Sequence, residues 1–480
     1  MIALVAATTL QTLDGRELAL AEADVVGLAD SLDGSLVRDG DPAYEAARRV
    51  WNGMIDRRPA LIVRATGTPD VAEAVRFARR HGLPVAVRGG GHGVAGHAVA
   101  DRALVIDLEE LRDVDVDVDR RLARAGAGCR LGDLDGATQA HGLATPLGVV
   151  SATGIAGLTL SGGMGWLRRA HGLSCDNLVA AELVTADGDV LRASADENAE
   201  LFWALRGGGG NFGVVTSFEY RLHPVGPEVM MVFVLYPGER AADVIASFAA
   251  YMAEAPDEVS PLAFLGRVPR VEGFPEEIHG RPYVALAGLH PGTPAEGEAA
   301  LRPLLELGEP LVDLSATMPY VEAQKVLDED YPDGLQYYWK SIELDELTPD
   351  VVRRLLDHAA AAPSGDSTID IWWNGGAMER VAPEATAFGA RPRILLGYEA
   401  NFEHLADAAE NVAWVRGSLA ELEPLSTGGA YLNFPGFFEE GADLLRASFG
   451  EANYERLVEV KTRYDPDNTF RFNGNINPSP

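Results

Sequence analysis

The chain has 480 residues, 47% of them hydrophobic and 23% charged, with 40 Lys and Arg against 72 Asp and Glu for a formal net charge of −32. That length implies two or three domains, and the composition is that of a globular protein rather than a disordered one. The acid excess argues against nucleic-acid and anionic-membrane partners, which are bound through clustered Lys and Arg.

In chain order, Ile2–Ala7 is an apolar run too short to cross a bilayer, and it lacks the basic flank of a secretory signal. The expected location is therefore cytoplasmic, with no membrane partner. Ala60–Arg64 is a β-branched strand, and Thr68–Arg80 carries helical spacing at Val71, Ala74, Val75 and Phe77. His81-Gly82 closes that helix, and Leu83–Arg88 is the next strand, a βαβ rhythm that predicts a layered α/β unit. From about Pro224 the texture changes. Strands at Val229–Leu235 and Arg281–Leu289 alternate with helical stretches at 239–254, 293–308 and 349–362, which predicts a sheet with helices on one face. The last fifty residues are aromatic and Asn-rich, unlike a frayed tail.

Three glycine clusters punctuate the first half. Arg88-Gly-Gly-Gly-His92-Gly93 follows a strand, so its backbone amides could form a nest for phosphate oxygens or simply a tight turn. No Gly-Lys-Ser/Thr follows, which excludes a Walker A loop. Gly148–Gly165 is long and rich in small and hydroxyl residues, and Arg206–Gly213 precedes the strand Val214–Tyr220. Gly126–Gly132 departs from the G-x-G-x-x-G spacing and is weak evidence for a Rossmann domain. Of the two cysteines, Cys129 reads as a small buried hydrophobe. His92 and His97 have no third ligand at metal spacing, so no metal is expected.

Together Arg88–His92, Gly148–Gly165, Gly172–Asn177, Arg206–Gly213 and the tail segments Tyr454–Val458, Tyr464–Asn468 and Phe470–Asn473 carry a resemblance. The chain resembles a berberine-bridge-enzyme-like flavoprotein of the vanillyl-alcohol-oxidase superfamily. The resemblance implies an α+β fold of two domains. An FAD-binding domain of two α/β subdomains would take residues 1–225 (core 59–225) and the returning segment 428–480. A substrate domain, an antiparallel sheet with helices on one face, would span 226–427. It implies FAD attached covalently through His92 and Cys175, with Arg88, Gly89, Gly90, Gly91, Gly93, Thr153, Gly154, Gly157, Gly162, Gly163, Asn177 and Asn473 around it. A neutral imidazole and a thiolate are the nucleophiles suited to such bonds.

The same resemblance gives Tyr431 as the catalytic base of a Tyr-x-Asn-Tyr-x-Asp-like segment, here with Phe434 and Gly436 replacing the second Tyr and the acid. A phenol of pKa near 10 needs its phenolate stabilised to serve in that way. Along Ser367–Met378, period-2 alternation puts Asp370, Trp372 and Asn374 on one side, expected to face the flavin. Asp370 either assists Tyr431 or is capped by backbone amides. Lys340 is a further candidate for substrate contact. The expected activity is removal of hydride from an alcohol carbon of a sugar, glycoside or secondary metabolite, with molecular oxygen reduced to peroxide. A dehydrogenase or oxidative cyclase on the same scaffold is the alternative. The expected partners are a small-molecule substrate and oxygen, in a monomer or homodimer.

Overall fold

A computed structural model describes residues 8–271, 273–389 and 391–479, so the apolar run Ile2–Ala7 lies outside the described residues. The first half builds two sheets. Ser35–Arg38, Leu61–Arg64, Leu104–Asp107 and Val85–Arg88 lie side by side in that order, the last three parallel. Parallel neighbours need a crossover, supplied by the helix Thr68–His81. Its apolar stripe Val71, Val75 and Phe77 is buried, Arg79, Arg80 and His81 face the negative end of its dipole, and Gly82 at φ +62° ends it. The second sheet is antiparallel, ordered Val190–Ser194, Leu178–Val184, Val214–Arg221, Leu122–Gly126 and Val114–Asp117.

A third, larger antiparallel sheet follows. Its central strands run Glu228–Pro237, Pro282–His290, Leu262–Arg267, Thr368–Trp373, Ile394–Phe402 and Gln336–Leu344. Alternation sorts its side chains. Val232, Ile369, Ile371, Leu396 and Tyr398 pack with Phe248, Leu301, Leu355 and Val415 from the helices Ala241–Met252, Pro294–Leu305, Pro349–Ala360 and Ala408–Leu422. Met231, Phe264, Trp372 and Leu395 point the other way, into a core shared with Met164, Trp166 and Tyr431. These four helices lie on one face, and the other face packs against the glycine-rich half and the short helix Tyr320–Ala323.

The C-terminal helices Ala442–Phe449 and Glu451–Tyr464 pack on the first core through Leu445, Phe449, Leu457 and Val460. Val85 N–H donates to the Thr469 carbonyl at 2.9 Å. Among the described residues, no helix is long and apolar enough to cross a membrane.

Candidate active site

A cavity of about 310 Å³ runs from the glycine loops to the face of the large sheet opposite those four helices. The loops form one end because they alone can come close enough. A Cβ on Gly90 would meet the backbone N and Cα of Gly154 at 2.5 Å, and a Cβ on Gly154 would meet Gly90 N at 2.4 Å. Both positions therefore exclude a side chain, and backbone amides line the wall. Gly89–Gly93, Thr153, Gly154, Gly157 and Gly208–Gly210 all contribute. Arg88 does not. Its buried guanidinium is taken up by the Asp107 carboxylate and by the carbonyls of Ala47 at 2.6 Å and Arg49 at 3.1 Å. It locks the strand end from which the loop departs.

His92 reaches the wall with its ring stacked on Trp51, centroids 4.1 Å apart, and Trp51 in turn lies on Tyr337 at 3.6 Å. Its Nε2 is buried without a hydrogen-bond partner. Burial pushes the imidazole pKa down to about 4, so the ring is neutral and nucleophilic at pH 7. Asn473, also on the wall, donates from Nδ2 to the carbonyls of Gly210 at 3.0 Å and Phe470 at 3.1 Å, while its Oδ1 is buried and unpartnered. Lys461, which the motifs did not single out, joins these segments. Its Nζ donates to Asp465 at 2.6 Å, Asn211 O at 2.9 Å and Phe470 O at 3.0 Å.

Tyr431 occupies the middle of the cavity wall, 3% exposed. Its phenol oxygen accepts from Met164 N–H at 3.1 Å and from Asn433 Nδ2 at 2.8 Å. Gly162 and Gly163, at φ +107° and +89°, turn the chain so that the Met164 amide arrives there. They serve this turn and are not on the wall. Burial raises the phenol pKa, and the bonds from Asn433 and the Met164 amide pull it back. Phe434 meets Tyr431 edge-on with centroids 5.2 Å apart, and Trp339 and Trp372 line the same cavity.

Asp370 lines the cavity as the alternation predicts, but it does not bond Tyr431. Thr368 Oγ1 donates to it at 2.9 Å, and it shares a hydrogen bond with Glu399, an acid the motifs missed. The pairing follows from register, because Thr368 lies opposite Glu399 and Asp370 opposite Gly397. A lone acid in the apolar strand Ile394–Phe402 was the available signal.

Other expected contacts lie elsewhere. Cys175 is off the wall, behind the Gly162–Gly163 turn: its N–H donates to Gly162 O at 2.9 Å, and Sγ lies 3.8 Å from Asp176 Oδ1. Burial raises its thiol well above the ordinary range, and its side chain packs with Val150, Met164 and Leu173. Asn177 fastens the segment that precedes it, donating to His171 O at 2.8 Å and Leu173 O at 2.9 Å. Asn374 accepts from buried Arg168 Nε at 3.1 Å. Lys340 pairs with Glu439 and Glu440. Alternation in Gln336–Leu344 explains the last case, since Trp339 faces the cavity and its neighbour Lys340 cannot.

The donor set fits FAD. Glycine amides suit a pyrophosphate on a wall where no Lys or Arg stands among the described residues, and His92 Nε2 and Asn473 Oδ1 are buried polar atoms without a protein partner.

Comparison with known proteins agrees. Residues 59–194 match the family described as FAD binding domain, and residues 430–477 match berberine and berberine-like. An uncharacterised FAD-linked oxidoreductase of Bacillus subtilis (strain 168) is 32% identical over 458 residues, 93% of this chain and 97% of that one. The (R)-6-hydroxynicotine oxidase of Paenarthrobacter nicotinovorans is 31% identical over 461 residues, covering 93% and 97%. The crystal structure of 6-hydroxy-D-nicotine oxidase from Arthrobacter nicotinovorans superimposes with a TM-score of 0.83 at 30% identity, covering 94% of this chain and 99% of that one. A carbohydrate oxidase from Microdochium nivale, 23% identical over 95% of this chain and 100% of that one, shares the fold with a TM-score of 0.82.

Proposed function

The chain belongs to the berberine-bridge-enzyme-like FAD-linked oxidoreductases, and from that premise we propose that it is an oxidase acting on an alcohol carbon of a small molecule, with FAD tethered through His92 alone. When bound, FAD would supply the acceptor for a hydride equivalent from substrate carbon and the route by which those two electrons reach oxygen, giving peroxide. Gly89–Gly93, Thr153–Gly157, Gly208–Gly210 and Asn473 would hold it through backbone amides and the Asn473 amide. The neutral, unpartnered Nε2 of His92 is the nucleophile for the tether.

The observation carrying the reading is the Tyr431 oxygen, which accepts two N–H bonds inside the same cavity. Those donors stabilise negative charge on the phenolate, so Tyr431 can take the hydroxyl proton as the carbon is oxidised. The enclosing aromatic side chains keep water from the reacting carbon.

Intact mass of the denatured protein tests the tether. One FAD adduct is expected in wild type and in Cys175→Ala, and none in His92→Ala. An adduct that survives His92→Ala, or one lost in Cys175→Ala, refutes the single attachment. Under air, one peroxide per substrate oxidised is expected; turnover that requires an added electron acceptor refutes the oxidase reading.

A further inference from the structure

The substrate end of the cavity has a charge pattern that neither the glycine loops nor Tyr431 explains. Among the described residues on its wall there is no Lys or Arg, and the two that carry acid are Asp370 and Glu399, each 2% exposed. They sit side by side beneath an aromatic wall. Tyr331 meets Trp339 edge-on at 5.3 Å, Trp339 meets Phe434 at 5.3 Å, and Phe434 meets Trp372 at 6.5 Å. Trp372 adds an independent observation that points to a ligand: the residue is 3% exposed, and its buried indole N–H has no acceptor. The guanidinium of Arg168 stands 5.1 Å from the Trp372 ring centroid, yet its donors go to Asn374 and to the carbonyls of Gly165, Ser260, Pro261 and Trp373.

We infer that Asp370, Glu399 and the aromatic wall bind a protonated amine on the substrate, and that the Trp372 N–H bonds an acceptor atom of the same molecule. The inference rests on the proposed function and narrows its substrate class to small alcohols that also carry a cationic amine. Two adjacent buried carboxylates cannot both be charged without a cation, so they hold a proton between them until one arrives. Burial raises both, Asp370 raises Glu399 further, and the hydrogen bond with Glu399 eases Asp370 back down. The groups facing the pair are Thr368 on the strand of Asp370, Tyr331 hydrogen-bonded to Glu399, and Asp330 and Tyr283 nearby. None supplies a positive charge. Aromatic faces then stabilise the cation further, and the net charge of −32 raises its concentration near the protein.

Isothermal titration calorimetry on the flavin-loaded enzyme at pH 8 tests this with three probes: phenyltrimethylammonium, benzyl alcohol and benzoate. The cation should bind at least ten-fold tighter than the alcohol, and benzoate should give no binding heat. Glu399→Gln and Asp370→Asn should each cost the cation ten-fold or more and leave the alcohol within two-fold. Wild type itself supplies a check that needs no variant: from pH 8 to pH 5 the cation should weaken ten-fold while the alcohol is unchanged. Equal affinity for cation and alcohol in wild type, a flat pH profile, or a cation preference surviving in the double variant overturns the inference. Flavin absorbance at 450 nm in the same samples separates the two layers. A yellow enzyme indifferent to the cation sinks only this inference, whereas protein that takes up no flavin sinks the proposed function with it.

Discussion

Lys461→Met removes a charge that is sealed inside the protein. Lys461 and Asp465 are both 0% exposed, and Nζ makes three bonds, to Asp465 Oδ2 at 2.6 Å, Asn211 O at 2.9 Å and Phe470 O at 3.0 Å. Methionine has similar reach and no donor. The Asp465 carboxylate would keep the backbone N–H groups of Thr469 and Phe470, at 2.7 and 2.9 Å, but lose its counter-ion. Stranding one member of a buried pair costs about 3–5 kcal/mol. At roughly 2–4 °C per kcal/mol for a domain of this size, the melting point should fall by about 10 °C. The damage is local to the cofactor end, because Gly210 and Asn473 line the cavity beside the tied segments. Flavin occupancy should therefore drop with stability. Scanning calorimetry and the 450-to-280 nm absorbance ratio read the two effects. Lys461→Met/Asp465→Asn strands no charge and should recover at least half of the loss. A single variant within 2 °C of wild type (roughly 1 kcal/mol), or a double variant no better than the single, refutes the reasoning.

Tyr431→Phe should slow anaerobic flavin reduction by about 10²–10⁴-fold while flavin content stays normal. Asn433→Ala, which removes one of two donors to the phenolate, should cost about 10–100-fold, as a hydrogen bond to a charged group is worth about 1.5–3 kcal/mol; unchanged rates in stopped-flow would count against Tyr431 as base. Because burial raises the phenol, the rate of flavin reduction should climb as pH rises into the alkaline range, and a profile falling with pH would contradict a phenolate base. Gly90→Ala places a Cβ 2.5 Å from Gly154 backbone, so the loops must part by roughly 1 Å and the purified protein should be colourless. Gly136→Ala, with nothing within 4 Å of the added Cβ, should load flavin as wild type does. Asp135 is buried with Oδ1 unpartnered, and burial pushes its pKa up to about 7. The unfolded chain loses this proton near pH 4 and the folded one near pH 7, so the site destabilises the protein increasingly between those values and fully above them. Asp135→Asn should thus stabilise by on the order of 2–4 kcal/mol at pH 8 and change little at pH 4 in thermal melts.

Much of this molecule was legible from local pattern. Apolar spacing at Val71, Ala74, Val75 and Phe77 marks a helix because burial on one side has a 3.6-residue period, and the helix is Thr68–His81. Alternation in Thr368–Trp373 assigns Ile369, Ile371 and Trp373 to the helices and Asp370 and Trp372 to the cavity, since a strand has only two sides. The glycine loops announce a bound group because only glycine lets two backbones meet as Gly90 and Gly154 do. Those readings depend on residues close together in the chain.

The sequence by itself therefore determined the α+β class, the glycine loops, the His92 and Tyr431 positions and the family. Only the tertiary structure decided what faces what across long separations. Cys175 belongs to one of the motifs that carry the resemblance, yet its side chain packs with Val150, Met164 and Leu173 and does not line the cavity, and no spacing rule encodes which side of a turn a side chain takes. Glu399 meets Asp370 because strand register aligns Thr368 with it, and Lys461 finds Asn211, 250 positions away, because the C-terminal helix folds back over the first core. Patterns report burial, which is a property of each segment; partners are set by how segments pack, and that is a property of the whole chain.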